Sequence, residues 1–415
     1  MIIRPARRTE NVQEYYFSRK LKEIGKMNSE REALGADAVI NLGIGSPDGM
    51  PPQEAVAALC ACAQQSASHG YQSYTGIPEL RKAFSEWYAV HYGVHLDPDT
   101  EIQPLAGSKE GILLISMAFL DPSDKVLVPD PGYPTYTSAS RLTGADVFTY
   151  NLKEENGWMP DFDELEELCT EDVKILWTNY PHMPTGAPAS MELYSALVDF
   201  AIRHGILVCN DNPYSFILND RPLSIFSVPR AKECCLELNS LSKAHNMAGW
   251  RIGMLAGEPE LVAQVLKVKS QMDSGMFRPM QLAAAEALSR GSDWFRSLND
   301  EYRLRKIAAG RIFDLVGAEY DRNSCGMFLW GRVLPASPFL RRTDEGRMPD
   351  AGERPTAGQL VSDRILHEAG VFITPGFIFG KNGSSYLRIS LCADVPALER
   401  AADKIASVME RINTK

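Results

Sequence analysis

Hydrophobic and polar positions alternate along this chain in two periods, and the switching between them outlines a fold. Residues 15–27 place Phe17, Leu21, Ile24 and Met27 at roughly helical spacing with charges between, which predicts a short amphipathic helix. The run Asn41-Leu-Gly-Ile-Gly-Ser-Pro-Asp48 reads as a short strand breaking into a turn. Leu80, Phe84, Trp87 and His91 lie four, three and four residues apart, one face of a helix. Pro78 stands at its start, where a missing N–H does no harm. From there apolar runs at 125–128, 146–150, 174–178, 205–209 and 235–239 alternate with helical stretches at 110–119, 161–169 and 190–203. This alternation predicts an α/β unit, a mainly parallel sheet with helices on both faces. Sites in such units form at the carboxyl ends of the strands.

After about residue 258 the pattern turns mainly helical, over 258–272 and 279–316. Strand-like runs return at 327–330, 371–374 and 386–391, which reads as a second, α+β domain. The stretch 335–355 is rich in Pro, Arg, Asp and Gly without periodicity, as a surface loop would be.

Composition narrows the function classes. The chain has 415 residues, 45% hydrophobic and 23% charged, an ordinary globular balance. At about 150 residues per domain it has room for two or three domains. The net charge of −10 argues against nucleic acid or an anionic membrane as main partner, because phosphate backbones call for a basic footprint. A small anion in a local basic pocket remains compatible. The eight cysteines show no C-x-x-C and no Cys/His cluster of zinc spacing, which argues against a structural metal and for reduced thiols in the cytosol. The N-terminal residues lack a signal-peptide apolar stretch, and the longest apolar segment, 112–120, is too short to span a bilayer. A cytoplasmic protein is expected.

Four segments carry candidate chemistry. Ser240-Leu-Ser-Lys-Ala-His-Asn-Met-Ala-Gly-Trp-Arg-Ile-Gly253 follows a strand and sets Lys243 among hydroxyls, with Arg251 eight residues on. An isolated S-x-S-K suits a solvated surface loop better than a site; the whole string is more specific. Asp211-Asn-Pro-Tyr214 follows the apolar run 205–209, where a carboxylate either caps a turn or faces a site. Ala106-Gly-Ser-Lys-Glu-Gly111 opens a helix, and its small residues let backbone N–H groups approach a phosphate at the helix N-terminus, besides any capping by Ser108. It is not a G-x-x-x-x-G-K-[ST] loop, and Gly43–Gly49 does not match G-x-G-x-x-G. Asp130-Pro-Gly-Tyr-Pro-Thr-Tyr136 follows a further strand.

In this combination and order the sequence resembles the class I aminotransferases of fold type I, over residues 40–395. The resemblance implies pyridoxal 5'-phosphate (PLP) as cofactor, with Lys243 as the lysine that carries it as a Schiff base. It implies that Ser240, Ser242 and Arg251 bind the cofactor, the first and last through its phosphate. Gly107, Ser108 and Lys109 would form the phosphate cradle, the last through its main chain. Asp211 would pair with the pyridine nitrogen, Tyr214 would donate to the phenolic oxygen, and Tyr133 would stack on the ring. Tyr71, in Gly70-Tyr-Gln-Ser-Tyr-Thr-Gly76, would reach the phosphate of the neighbouring subunit, implying a homodimer. Arg388, in Tyr386-Leu-Arg-Ile-Ser-Leu391, would clamp the substrate α-carboxylate, beside the backbone of Gly45.

One position departs from the family pattern. Where the family shows N-P-T-G, this chain reads Asn179-Tyr-Pro-His-Met-Pro-Thr-Gly186, and Met183 has no hydrogen to donate. Tyr214 would act alone there, or Asn179 or His182 would substitute. The implied architecture is a three-layer αβα domain over 46–295 and a smaller α+β domain from 1–45 and 296–415. The implied reaction is ping-pong transfer of an amino group between an L-amino acid and a 2-oxo acid. Met183, Met276, Phe277 and the aromatic run Tyr15–Phe17 lean the donor towards aromatic or large apolar side chains, with Arg278 as a candidate second carboxylate site. The same fold also serves C–S β-lyases, enzymes like aminocyclopropane-carboxylate synthase, and non-catalytic PLP-binding regulators.

Overall fold

The computed structural model of the chain describes residues 3–10, 12, 14–341 and 355–414. Its strands are β1 (Ile40–Asn41), β2 (Ile102–Leu105), β3 (Lys125–Asp130), β4 (Asp146–Asn151), β5 (Val173–Thr178), β6 (Leu207–Asp211), β7 (Cys235–Ser240), β8 (Gly253–Gly257), β9 (Ala318–Tyr320), β10 (Phe328–Val333), β11 (Val371–Phe372), β12 (Thr374–Pro375) and β13 (Tyr386–Ser390). A seven-stranded sheet runs in the order β2-β8-β7-β6-β5-β3-β4. Strands β3 to β7 pair in parallel, and β8 is antiparallel to both its neighbours. Helices cover both faces, as the α/β pattern requires. The apolar runs at 125–128, 146–150, 174–178 and 235–239 all become sheet strands, and the run at 205–209 enters the sheet two residues later than its apolar start.

Two strands of this sheet, and β9 of the second, escaped the periodicity. β2 contains Pro104 and Gln103, yet proline is tolerated on an edge strand, which β2 is. β8 is bounded by Gly253 and Gly257 and looks like a turn. Gly253 is required there because a Cβ would lie 2.7 Å from the Asn239 carbonyl and 2.9 Å from the Ser108 nitrogen.

A second sheet, β12-β13-β10-β9, is antiparallel. Helices Ser292–Val316 and Val395–Asn413 pack on each other, and the buried faces of both join the core of this sheet. The long helical stretch read at 279–316 is two helices, Arg278–Leu288 and Ser292–Val316, broken at Ser289-Arg-Gly291. β1 pairs in parallel with β11, so the N-terminal segment is stitched to the C-terminal part of the chain. The helix Tyr16–Ala33 buries Ile24 against Val39, Leu366 and Phe372. Of the stretch 335–355, residues 342–354 lie outside the described residues, while Phe339 is 2% exposed and belongs to the core, not to a surface loop.

Candidate active site

The sheet order reverses between β3 and β5, whose successors lie on opposite sides. A crevice opens outside the carboxyl ends of strands at such a switch. A cavity of about 540 Å³ lies there. Tyr133 follows β3, Asn179 follows β5, Asp211 ends β6, Ser240 ends β7, and Ser108 and Lys109 follow β2; all line it. Ser242, Lys243, Arg251, Tyr214, Gly45 and Arg388 complete the wall. Gly107 stands just behind, at φ 83°, a left-handed conformation that favours glycine, and the Arg251 guanidinium packs against it, Nη2 lying 2.2 Å from where a Cβ would be. Of the residues singled out from the sequence, Tyr71 does not join this cavity. It is 93% exposed.

Lys243 sits in the short helix Leu241–Ala244 after β7, with Nζ donating to the Gly45 carbonyl. Burial lowers its pKa from the usual lysine value. The guanidiniums of Arg388 and Arg251 act in the same direction, against Cys392 and Asp211. Gly45 must be glycine, since a Cβ would meet Phe328 Cζ at 2.3 Å.

Asp211 is buried, accepts a 2.9 Å hydrogen bond from Tyr136 on Oδ2, and has no partner on Oδ1. Burial pushes its pKa up to about 7, against the Tyr136 hydrogen bond and Lys243. Tyr136 was not picked out from the sequence. Its ring stacks on Trp177 at 5.0 Å and 5°, an arrangement set by the first turn of helix Pro134–Thr143. The only trace in the sequence is its spacing of three from Tyr133.

Arg388 lies on β13 and is 4% exposed, with Phe328 at 4.0 Å and Phe379 at 4.6 Å from its guanidinium carbon. It donates to the Gly43 carbonyl at 2.7 Å and to Met183 Sδ at 3.3 Å; Nε has no partner. Among the described residues no carboxylate pairs with it, and burial lowers its pKa to about 10. A buried guanidinium without an anion is costly.

The structure discriminates between the substitutes for the missing asparagine. His182 does not line the cavity; its Nδ1 faces Thr185 Oγ1 at 2.8 Å, and burial drives its pKa down to about 3. Asn179 does line it, giving one N–H to the Asp211 carbonyl and accepting from Met183 N at 2.8 Å. Its second amide hydrogen is left over. Met276 is buried in the core, Phe277 is partly exposed, and Arg278 pairs with Glu79 at 3.2 Å; none of the three lines this cavity.

The sequence matches the family described as "Aminotransferase class I and II" over residues 37–405. The chain belongs to this family. Similar relatives include the LL-diaminopimelate aminotransferase of Dehalococcoides mccartyi, 38% identical, covering 97% of this chain and 98% of that one. The LL-diaminopimelate aminotransferase of Aquifex aeolicus is 39% identical, covering 95% and 99%. Among solved structures, substrate-bound BacF from Bacillus subtilis is 31% identical with a TM-score of 0.87, covering 98% of both chains. A double mutant of Thermus thermophilus aspartate aminotransferase is 26% identical with a TM-score of 0.85, covering 98% and 100%. The protein is a PLP-dependent aminotransferase. Its cavity fits that cofactor: Asp211 Oδ1 and Ser240 Oγ are buried without partners, and the closely packed Gly107 and Arg251 form a cradle for an anion. No helix among the described residues is long and apolar enough to cross a membrane.

Proposed function

We propose that this aminotransferase takes its amino group from an L-amino acid with a polar, charged distal end, LL-diaminopimelate being the first donor to test, and passes it to a 2-oxo acid. The carrying observation is Arg388, a buried guanidinium with no carboxylate partner among the described residues, in the same cavity as Lys243. In this reading the substrate α-carboxylate supplies the missing anion, and the planar fork fixes its orientation. PLP, when bound, supplies the sink for the electrons left when the Cα proton departs. Asp211, having no partner on Oδ1, keeps a proton on the ring nitrogen facing it. Lys243, its ammonium disfavoured by burial and two guanidiniums, becomes the free amine that takes the Cα proton and returns it elsewhere. Tyr214 would donate to the phenolic oxygen, with Asn179 substituting for the asparagine whose place Met183 takes. Ser108, Ser240 and Arg251 would hold the phosphate around Gly107, with Ser242 beside them on the cavity wall.

The lean towards aromatic donors keeps Tyr15, Phe17 and Met183, which line the cavity, but not Met276 or Phe277. The relatives' names point to a diamino dicarboxylate, and Phe17 lies 5.6 Å from the Arg388 guanidinium, over the clamp. Lys109 extends its ammonium to 4.8 Å from the Tyr15 ring, makes no ion pair among the described residues, and borders both this cavity and a second one of about 860 Å³. A distal carboxylate suits that cation.

The test is a half-reaction. The yellow protein is mixed with single amino acids and the visible band followed. Conversion to the pyridoxamine form by LL-diaminopimelate, and its reversal by 2-oxoglutarate, supports the reading. Pyruvate release would favour a lyase, and no conversion by any amino acid a regulator. Lys243→Ala is expected to show neither conversion nor turnover; full turnover in that variant refutes the role of Lys243.

A further inference from the structure

Lys269 ends the helix Pro259–Lys269 and is 0% exposed. An ammonium buried so completely is tolerated only when paired. Two carboxylates hold it, Glu110 at 3.2 Å and Asp273. The other Glu110 oxygen accepts the Ala106 N–H, while the Ala106 carbonyl accepts from Arg251 Nη2 at 3.2 Å. The residue leading into Gly107 and Ser108 is therefore gripped from both sides, by Glu110 on its nitrogen and Arg251 on its oxygen.

The charges explain why a lysine belongs there. Glu110 stands in the first turn of helix Ser108–Phe119. A carboxylate there competes with any other anion for the positive end of the helix dipole. Lys269 turns the Glu110 charge inward and balances it, leaving the helix N-terminus to an anion in the cavity. The same cluster extends to the loop that carries Tyr71. Asp273 accepts from Gly275 N at 3.2 Å, and Gly275 is packed so closely that a Cβ would lie 2.5 Å from the Gln72 carbonyl.

We propose that Lys269 is a positioning residue for phosphate: through Glu110 it sets the Ala106–Ser108 loop and cancels a charge that would oppose the cofactor's phosphate. The inference rests on reading Gly107, Ser108 and Arg251 as the phosphate site. Comparing PLP with pyridoxal, which lacks the phosphate, separates it from a merely structural role.

Apoprotein is titrated with each compound and binding followed by tryptophan fluorescence. Wild type should bind PLP much more tightly than pyridoxal; a ratio near one overturns the phosphate-site reading itself. In Lys269→Met that ratio should fall about tenfold or more, with pyridoxal binding almost unchanged, because an uncompensated carboxylate now faces the phosphate. Glu110→Gln combined with Lys269→Met should restore most of it, since the introduced amide oxygen still accepts from the Ala106 N–H without bringing a charge. An unchanged ratio, an equal weakening of both compounds, or no restoration overturns the proposal. If Lys269→Met does not fold, Lys269→Gln, which still donates to Glu110 but brings no charge, is read by the same ratio: a fall of about tenfold, restored by adding Glu110→Gln, supports the proposal, and an unchanged ratio, an equal weakening of both compounds or no restoration overturns it.

Discussion

Replacing Asp211 by asparagine should stabilise the apoprotein above neutral pH and cripple the loaded enzyme. Asp211 is 4% exposed, with one oxygen bonded to Tyr136 at 2.9 Å and the other unpartnered. Burial raises its pKa to about 7, whereas an unfolded aspartate titrates near 4. The native apoprotein therefore binds more protons than the unfolded chain between those two values. Stability falls as pH rises through that window, and the full cost is reached above about pH 7. Three pKa units correspond to about 4 kcal/mol. Asparagine carries no charge and still accepts from Tyr136, so the variant lacks this slope. Urea unfolding of apoprotein, followed by tryptophan fluorescence from about pH 5 to pH 8, should show Asp211→Asn gaining stability relative to wild type as pH rises, the buried His182 and His245 imposing the same opposite slope on both proteins. With PLP bound the order reverses, because only the carboxylate pairs with a protonated ring nitrogen. Turnover of the variant should then drop by about 10²–10⁴-fold, the scale of a lost buried charge pair. Parallel wild-type and variant profiles across the window would refute the reasoning.

Two further outcomes follow from the site. Arg388→Lys keeps the charge but loses the planar fork set between Phe328 and Phe379; KM for the amino donor should rise about 100-fold with cofactor content unchanged, and an unaltered KM counts against the clamp. We propose that Tyr71, 93% exposed on a single chain, is covered by a second copy and reaches its phosphate. Sedimentation should give a dimer, and Tyr71→Phe should weaken PLP about tenfold without dissociating it; an active monomer, or unchanged affinity, rejects that role.

Much of the cavity was legible because transamination demands particular residue types at strand ends. Lys243, Asp211, Tyr214 and Arg251 stand in short local strings, each just past an apolar run, and the resemblance of those strings to the family's marked them out where spacing alone would not have. Tyr136 was missed because its part depends on which way a helix turn faces, and tyrosines near turns are common. Phe328 and Phe379, which flank Arg388, come from distant segments of ordinary apolar sequence. Nothing in the local sequence marks Glu110 and Lys269, on two separate helices, as a pair. Only packing of those helices on one sheet face brings them within 3.2 Å.

The opening pattern of periods determined the class of fold and the place of most strands along the chain, because burial on one face or two imposes its own spacing on a chain. It could not reveal β2 and β8, where Pro104 and the flanking glycines speak of turns; an edge position and the crowding of Asn239 and Ser108 on Gly253 admit them as strands. Local sequence likewise determined which side chains are able to do the chemistry. Tertiary structure alone decided which charges stay unpaired. Arg388 and Asp211 are short of partners, while Lys269 and Arg278 are supplied with them. Pairing depends on separations of a few ångströms between residues remote in the chain, and no local pattern encodes those distances.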